Sequence, residues 1–588
     1  MSAKKLRMTE LVFVGAALVL ACQSEPSTIG TAARTQSVIA ADLVLRGGPI
    51  YTQNAARSWA RALAIRDGIL TYVGTERGVE RFITPHTHVV ELDGRTVLPS
   101  FQDAHIHPIY SGVQAASLCD LSGDRNAEEY VQTIARYAEQ NPDIAWISGG
   151  GWLMSAFPSG IPDRRLIDAV VWDRPVYLSS ADGHSVWLNS KALAVAGITR
   201  DTPDPEDGRI DRDPDTGEPV GALQEGAMDL VELPAWTPQQ RSTGLHYALT
   251  HLNSLGITAF QDAGEAGSAG NLETYYDFAA SGALTARVVA SLWWERGRGL
   301  EQIDELVAKR AKFTRGRLRA TTIKIMQDGV LENHTASLLE PYVGVAGQRG
   351  VPFVEPEALK EIVTRLDQEG FQVHFHAIGD AAIRQALDAI EAARTRNGDR
   401  GNRHHISHIE LFDPADIPRF RQLDVVANFQ PLWAYAEEYI TDLTIPFLGP
   451  ERSRWLYPIA SLFDSGAVVA FGSDWNVSSA NPFEEMEVAI TRMGPAGETD
   501  VPFLPHQRID LASALAAFTI NAAYVNGIDD RTGSIEVGKL ADLIVVDQNP
   551  FVVPPSELSE LRVLLTLLEG KPVHGSDFVA AASAPGGE

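Results

Sequence analysis

The sequence predicts an α/β protein built around a (β/α)8 barrel. Eight short apolar runs have the character of buried strands, and helical patterns such as residues 356–369 and 380–395 lie between several of them. Alternating strands and helices favour a parallel sheet, and eight such units favour closure into a barrel. The predicted strands are residues 97–101, 256–262, 287–293, 321–329, 370–376, 404–408, 424–430 and 467–474.

Composition is that of a large globular chain. The 588 residues are 45% hydrophobic and 21% charged, so a sizeable core can be buried. The formal net charge is −27, and no basic run follows the first seven residues. We therefore expect no nucleic-acid partner and no attraction to an anionic membrane surface. The two cysteines, Cys22 and Cys119, exclude a disulfide framework and a thiolate zinc cluster.

Residues 1–22 predict a signal peptide of the lipoprotein type. A basic n-region is followed by an apolar stretch, residues 11–21, that is too short for a transmembrane helix. The Val-Leu-Ala-Cys run at 19–22 resembles a bacterial lipoprotein cleavage box; a plain secretory signal cut nearby is the alternative. Residues 23–40 are polar and predict a tether. We expect export to the bacterial periplasm or cell envelope, with membrane contact only through a lipid anchor at Cys22.

Two β-rich regions flank the barrel. Alternating runs that end at glycines occupy residues 42–48 and 62–68, and strand signals return at residues 538–547. Chain termini often lie close together. We therefore predict one small β-sandwich domain formed from both chain ends, residues 41–97 and 533–577.

The barrel itself is assigned to residues 98–532. Between its first two predicted strands, residues 109–255 are too many for a loop in a compact domain. This stretch carries strand-like runs of its own at 146–151 and 175–180. We predict a large insertion after barrel strand one that caps the barrel mouth.

Side chains that bind metals fall at the ends of the predicted barrel strands. His105 and His107 follow strand one, His376 and His408 end strands five and six, and Asp474 ends strand eight. Active sites of such barrels lie at the carboxyl ends of the strands, and alternate residues of a strand face the same way. Imidazole and carboxylate ligands suit zinc, and also manganese, iron or cobalt. The sequence predicts a site for one or two divalent ions.

Lys324 lies in the middle of predicted strand four. A buried ammonium is costly unless it is paired or loses its charge. Carbamylated by CO2, Lys324 would become an anion whose two oxygens can bridge two cations. A pair with a buried carboxylate such as Asp328 is the alternative. The bridged arrangement makes hydrolysis at a two-metal site the leading hypothesis.

Several stretches together resemble the amidohydrolase superfamily, in the branch that includes N-substituted formamide deformylase. The resemblance runs from about residue 41 to residue 575. The stretches that carry it are Asp-Ala-His-Ile-His at 103–107, Asp-Gly-His-Ser-Val-Trp-Leu-Asn at 182–189, and residues 324–329, 376–382, 472–476 and 533–543.

The resemblance implies a metal-dependent hydrolase acting on C–N bonds other than peptide bonds. By this resemblance one metal is held by His105, His107 and Asp474, and a second by His376 and His408, with carbamylated Lys324 between them. A metal-bound hydroxide would attack the substrate carbonyl. Asp474 would act as general base and then return the proton to the leaving nitrogen.

Two histidines have open roles. His184, in the insertion, either binds the substrate carbonyl oxygen as a catalytic group or ties the insertion together. His374 precedes His376 by two residues, and either adds to it or competes with it.

The expected substrate is a small molecule with an amide, N-formyl or N-acyl bond. The first alternative is a hydrolase of a carbamate, cyclic amide, ester or lactone. The second is a lipid-anchored binding protein without turnover. The sequence is compatible with an oligomer.

Overall fold

Eight parallel strands form the centre of the molecule, and the computed structural model describes them within residues 40–264, 269–345 and 347–582. Each strand pairs with the next along the chain. The first and last strands meet at the mouth, where the Asp474 N–H donates to the His105 carbonyl over 2.8 Å. Barrel strands one to eight are Phe101–Ile106, Ile257–Asp262, Arg287–Trp293, Leu318–Met326, Gln372–Ala377, His405–His408, Val426–Phe429 and Val469–Phe471. The predicted barrel is confirmed.

Helices surround the barrel on the outside. Pro356–Gln368 is typical, because its apolar residues Leu359, Ile362, Val363 and Leu366 recur on one face and are buried against the strands. The helix Pro238–Ser254 begins with a capping box between Thr237 and Gln240. The other barrel helices are Asn271–Ser281, Ile303–Lys312, Asp380–Asn397, Ile417–Gln422, Ile459–Asp464, Pro482–Thr491, Leu511–Ala517 and Ile520–Val525.

The first barrel strand lies later in the chain than predicted. The apolar run at 97–101 divides: Thr96–Pro99 pairs antiparallel with Leu543–Val546, outside the barrel, and the barrel strand begins at Phe101. The prediction was wrong because an apolar run indicates that a strand is buried but does not indicate which neighbouring strand it pairs with. As a result, His105 lies within strand one rather than after it.

Both chain ends build a second, eight-stranded sheet. Its amino-terminal strands are Leu43–Tyr51, Trp59–Arg66, Ile69–Gly74, His88–Glu91 and Thr96–Pro99, and its carboxyl-terminal strands are Leu543–Val546, Val563–Leu568 and Lys571–His574. The sheet encloses an apolar core of its own. Arg287 of strand three joins this sheet to the barrel through ion pairs with Asp542 and Glu569. The prediction that both chain ends build one β region is confirmed.

The insertion lies between strand one and the helix Pro238–Ser254. Its sheet consists of Cys119–Asp120, Ile147–Trp152, Val176–Ser180, Ser185–Leu188, Gly208–Arg212 and Pro219–Glu225. Its helices are Pro108–Ser117, Ala127–Gln140, Arg164–Asp168 and Ser190–Ala196. The Met154 N–H donates to Tyr439 Oη over 2.7 Å, and Asn333 Nδ2 donates to Gln224 Oε1 over 2.8 Å. These contacts seat the insertion on loops at the barrel mouth. The predicted range, 109–255, also includes the helix Pro238–Ser254, which belongs to the barrel.

The predicted signal peptide, 1–22, and all but the last residue of the predicted tether, 23–40, lie outside the described residues. Within the described ranges, no helix has the length and apolarity that crossing a bilayer requires. Cys119 is buried in the insertion.

Candidate metal centre

Three predicted ligands converge at the carboxyl end of the barrel. The ligand atoms of His105, His408 and Asp474 all lie within 4.8 Å of one another, and the three side chains are buried. They come from strand one, strand six and the loop after strand eight. The barrel closure therefore brings together groups that are more than 300 residues apart in the chain.

Asp474 is the common neighbour of these imidazoles. Its Oδ1 lies 3.4 Å from His105 Nε2 and 3.0 Å from His107 Nε2, and its Oδ2 lies 3.9 Å from His408 Nδ1. His408 and Asp474 have positive φ angles of 77° and 53°. Such a backbone is uncommon for residues other than glycine and is often found at functional sites. Here it turns each side chain inward at the end of its strand.

His376 completes the ring of imidazoles on the strand-five side. Its ring centroid lies 4.4 Å from that of His408, and its Nε2 lies 3.4 Å from the Gly329 carbonyl oxygen. Asp328 Oδ1 is 3.9 Å from the same nitrogen. The Asp328 carboxylate accepts the N–H groups of the segment that follows His376, at Ile378 and Gly379. Asp328 thus holds the loops of strands four and five together.

Lys324 lies among these imidazoles and is only 2% exposed. Burial lowers the pKa of the surrounding histidines, and the charge of Lys324 lowers it further. The affected residues are His105, His374, His376, His405 and His408. Lys324 is therefore close enough to these rings for its charge to affect them, and its place between two metal ions stays a prediction. Its carbamylation stays a prediction.

The donor set fits a divalent cation. Burial lowers the pKa of His105 to about 3 and that of His376 and His408 well below the usual value, so all three are neutral and offer a lone pair. His408 Nδ1 is buried without a hydrogen-bond partner among the described residues. Although burial opposes it, His105 and His107 hold the pKa of Asp474 well below its usual range, so Asp474 is a carboxylate. Neutral imidazoles and a carboxylate are the ligands that zinc and similar ions prefer.

His374 does not join His376 at the centre. Its Nε2 lies 2.9 Å from His105 Nδ1 and 2.8 Å from Ser407 Oγ. Its ring centroid lies 4.0 Å from that of His405. Inward-facing residues two apart on a barrel strand occupy successive layers. His374 and His405, which we call the lower layer, therefore lie beneath the predicted metal ligands, and His374 contacts His105.

His184 lies at the rim of the centre, brought there by the insertion. Its ring centroid is 5.1 Å from that of His376, and its Nδ1 lies 2.9 Å from Glu225 Oε2. Although burial opposes it, the Glu225 charge raises the pKa of His184 to about 9. Nε2 of His184 has no hydrogen-bond partner among the described residues. This nitrogen is therefore available to a ligand at the mouth.

Glu225 is a site residue that sequence reasoning missed. Its Oε1 accepts the Thr335 hydroxyl over 2.7 Å, so its carboxylate joins His184 to the loop after strand four. Its backbone has φ 50° and ψ −129°, a conformation that residues other than glycine rarely adopt. A Cβ on Gly329 would clash with Thr335 and Glu225, so this packing requires a glycine there. An isolated glutamate at the end of a strand run gave no signal in the sequence.

Two further groups frame the site. Asp103 accepts the His105 N–H over 2.9 Å and the Ser473 hydroxyl over 2.6 Å, which ties strand one to the end of strand eight. Burial raises the pKa of Asp103 to about 7. The Trp433 ring stacks on His408 at 5.5 Å with an interplanar angle of 7°. Asp103 therefore holds the ends of strands one and eight together, and Trp433 packs against His408.

Comparison with known proteins identifies the family of this chain. The sequence profile of the amidohydrolase family matches residues 88–574. Protein LONG AFTER FAR-RED 3 of Arabidopsis thaliana is 31% identical over 548 residues, which cover 91% of this chain and 92% of that protein. N-substituted formamide deformylase of Arthrobacter pascens is 27% identical over 545 residues, covering 90% and 97%. A crystal structure of an uncharacterized metal-dependent hydrolase from Pyrococcus horikoshii superposes with a TM-score of 0.68 at 25% identity, covering 87% of this chain and 99% of that one.

Proposed function

Because this chain belongs to the amidohydrolase family, we propose that it is a metal-dependent hydrolase of a non-peptide C–N bond, in a small amide, N-formyl or N-acyl compound. The observation that carries the proposal is the convergence of His105, His408 and Asp474 on one point of the barrel mouth. Neutral imidazoles and a carboxylate are the donors that divalent ions prefer.

The residues divide into those that hold metal and those that act on the substrate. His105, His107 and Asp474 would hold one ion and His376 and His408 a second, with Lys324 between them, so His105, His408 and Asp474 converge where the two ligand sets meet. Zinc suits these ligands. A bound divalent ion polarises a carbonyl group and lowers the pKa of water.

Asp474 moves the proton in this proposal. Its carboxylate accepts a proton from the attacking water and delivers it to the leaving nitrogen. His184 Nε2 donates a hydrogen bond to the carbonyl oxygen. Because Glu225 favours the protonated ring, that nitrogen carries a proton when substrate binds.

The bond class is supported by similarity to N-substituted formamide deformylase. Hydrolysis of a carbamate, cyclic amide, ester or lactone begins with the same attack on a carbonyl, so these substrates are the alternatives. A binding protein without turnover is disfavoured, since such a protein does not require the full set of six metal-binding side chains.

The test is a substrate panel measured before and after metal removal. We expect hydrolysis of an N-formyl or N-acyl amine, its loss on dialysis against a chelator, and its return on adding Zn²⁺. His107→Ala is expected to lose activity, whereas its matched control, His86→Ala on the exposed surface of the β domain, is expected to keep it. Metal-dependent turnover of esters or carbamates alone would replace the amide proposal, and metal binding without any turnover would favour the binding protein.

The Glu225→Gln variant is expected to lower kcat/KM about 10- to 100-fold, since a hydrogen bond to a charged group contributes about 1.5–3 kcal/mol. Glutamine keeps the size of the side chain but not the charge that holds the His184 proton. Steady-state kinetics on the best substrate of the panel measure the change. The control is Glu232→Gln, an exposed residue a few positions later. Unchanged kinetics in Glu225→Gln would mean that His184 only ties the insertion to the barrel.

We also propose that the protein is exported and anchored in the cell envelope through a lipid on Cys22. The proposal rests on the basic and apolar regions of residues 1–22. Cys22→Ala is expected to move the protein from the membrane fraction to the soluble fraction of the native cell. Fractionation with membranes as before would refute lipidation, and Met1 retained in protein isolated from that cell would refute export.

A further inference from the structure

The lower layer contains an unusual partner for a metal ligand. We propose that His374 is a positioning residue: its Nε2 accepts the Nδ1–H of His105 and so fixes the ring through which His105 binds metal. The inference rests on the proposed metal site and adds to it a residue from outside the ligand set.

The two nitrogens of His105 face different neighbours. Nε2 lies 3.4 Å from Asp474 Oδ1, on the side of the ligand cluster, whereas Nδ1 lies 2.9 Å from His374 Nε2. Only Nε2 can therefore reach an ion held with Asp474. A neutral imidazole that gives its Nε2 lone pair to a metal carries its proton on Nδ1. In a ring that is 1% exposed, that N–H needs an acceptor inside the protein.

His374 Nε2 is in place to be that acceptor. Metal-binding histidines usually donate this proton to a carboxylate, a backbone carbonyl or water, which fixes the orientation of the ring. Here the acceptor is another imidazole. When His374 accepts at Nε2, its own proton lies on Nδ1, which is 3.5 Å from Ser291 Oγ. The Ser407 hydroxyl, 2.8 Å from the same nitrogen, can donate to it as well, so the single lone pair of Nε2 is shared between two donors.

His374 lies in a closely packed part of the barrel interior. Its side chain is fully buried, and its ring packs on His405 at 4.0 Å and nearly perpendicular to His105, at 4.7 Å and 81°. Inner layers of such barrels are normally filled by branched apolar side chains, and burying an imidazole there has a desolvation cost. The hydrogen bond to His105 offsets that cost and gives the polar side chain a function.

The test compares metal affinity among variants of the full-length protein. His374→Gln places an amide oxygen near the same point and can still accept from His105, whereas the shorter side chain in His374→Asn cannot reach it and that in His374→Leu cannot accept. His405→Leu is the matched control, since it changes the same layer without touching the His105 hydrogen bond. Zn²⁺ affinity is measured by competition with a chromophoric chelator, and the ligand geometry by the visible absorption of the Co²⁺-loaded protein.

We expect the Leu and Asn variants at position 374 to bind Zn²⁺ about 10- to 100-fold more weakly, the range known for partners of metal ligands, with an altered Co²⁺ spectrum. His374→Gln and His405→Leu are expected to remain within about threefold of the parent. Equal affinity in the Gln and Asn variants, or an equal loss in His405→Leu, would overturn the inference, because packing alone would then explain the effect. If His374→Leu does not fold, the Gln and Asn pair decides. A parent protein that binds no Zn²⁺ would overturn the metal site and this inference together.

Discussion

Asp474→Asn is expected to lower kcat about 100- to 10,000-fold, the usual contribution of a positioned acid–base group. Asparagine has nearly the same shape but cannot take a proton from water or return it to a leaving nitrogen. Asp474 is also the common neighbour of His105, His107 and His408, so the variant is expected to bind metal more weakly as well. The measurement is kcat at saturating Zn²⁺, with metal content determined on the same samples.

The control for this variant is Asp464→Asn, which removes an exposed carboxylate at the end of a helix on the outside of the barrel. Full kcat in a metal-loaded Asp474→Asn protein would contradict the proton-transfer role. Asp474 would then serve only to orient the histidines around it.

Lys324→Ala is expected to reduce bound metal from about two equivalents to about one or fewer, and to abolish most of the activity, because a bridging group in a two-metal site would be lost. Lys324 is buried among the imidazoles of the site, where a carbamate would place two oxygens between the ions. Metal analysis of the purified mature protein and the variant measures this. Labelling with ¹³C-bicarbonate is expected to give a carbamate carbonyl signal in the parent and none in the variant.

An exposed lysine provides the matched control: Lys312→Ala, on the outer helix Ile303–Lys312, is expected to change neither metal content nor activity. About one equivalent of metal in both the parent and Lys324→Ala would make Lys324 structural and leave a mononuclear hydrolase centred on Asp474. The absence of metal from both proteins would favour a binding protein without turnover.

Barrel strands two to eight could be predicted because parallel strands are buried on both faces and appear as apolar runs bounded by glycines and polar residues. The same reasoning placed His376, His408 and Asp474 near one another, since the carboxyl ends of all barrel strands meet at one mouth. Strand one was misplaced because its apolar run serves two sheets in succession. Pairing with the strand Leu543–Val546 of the β domain ends at Pro99, and pairing with barrel strand two begins at Phe101.

The strand order of the insertion could not be predicted from the sequence. Its strands near 146–151 and 175–180 were predicted, but their order in the sheet was not. That order pairs Ser185 with Gln224 and so places Glu225 beside His184, 41 residues away in the chain. No local periodicity encodes such a pairing, because it depends on which of several strands pack together.

By itself, the sequence determined the barrel, the small β domain from both chain ends and the residue types of the metal site. These features depend on apolar periodicity and on the shared edge of parallel strands, which are local properties of the chain. Only the tertiary structure decided the depth and direction of each side chain. The two-residue repeat of a strand indicates which face a residue occupies but not which layer of the barrel it joins. The positions of His374 beneath His105 and of Glu225 behind His184 therefore depend on how the strands pack together.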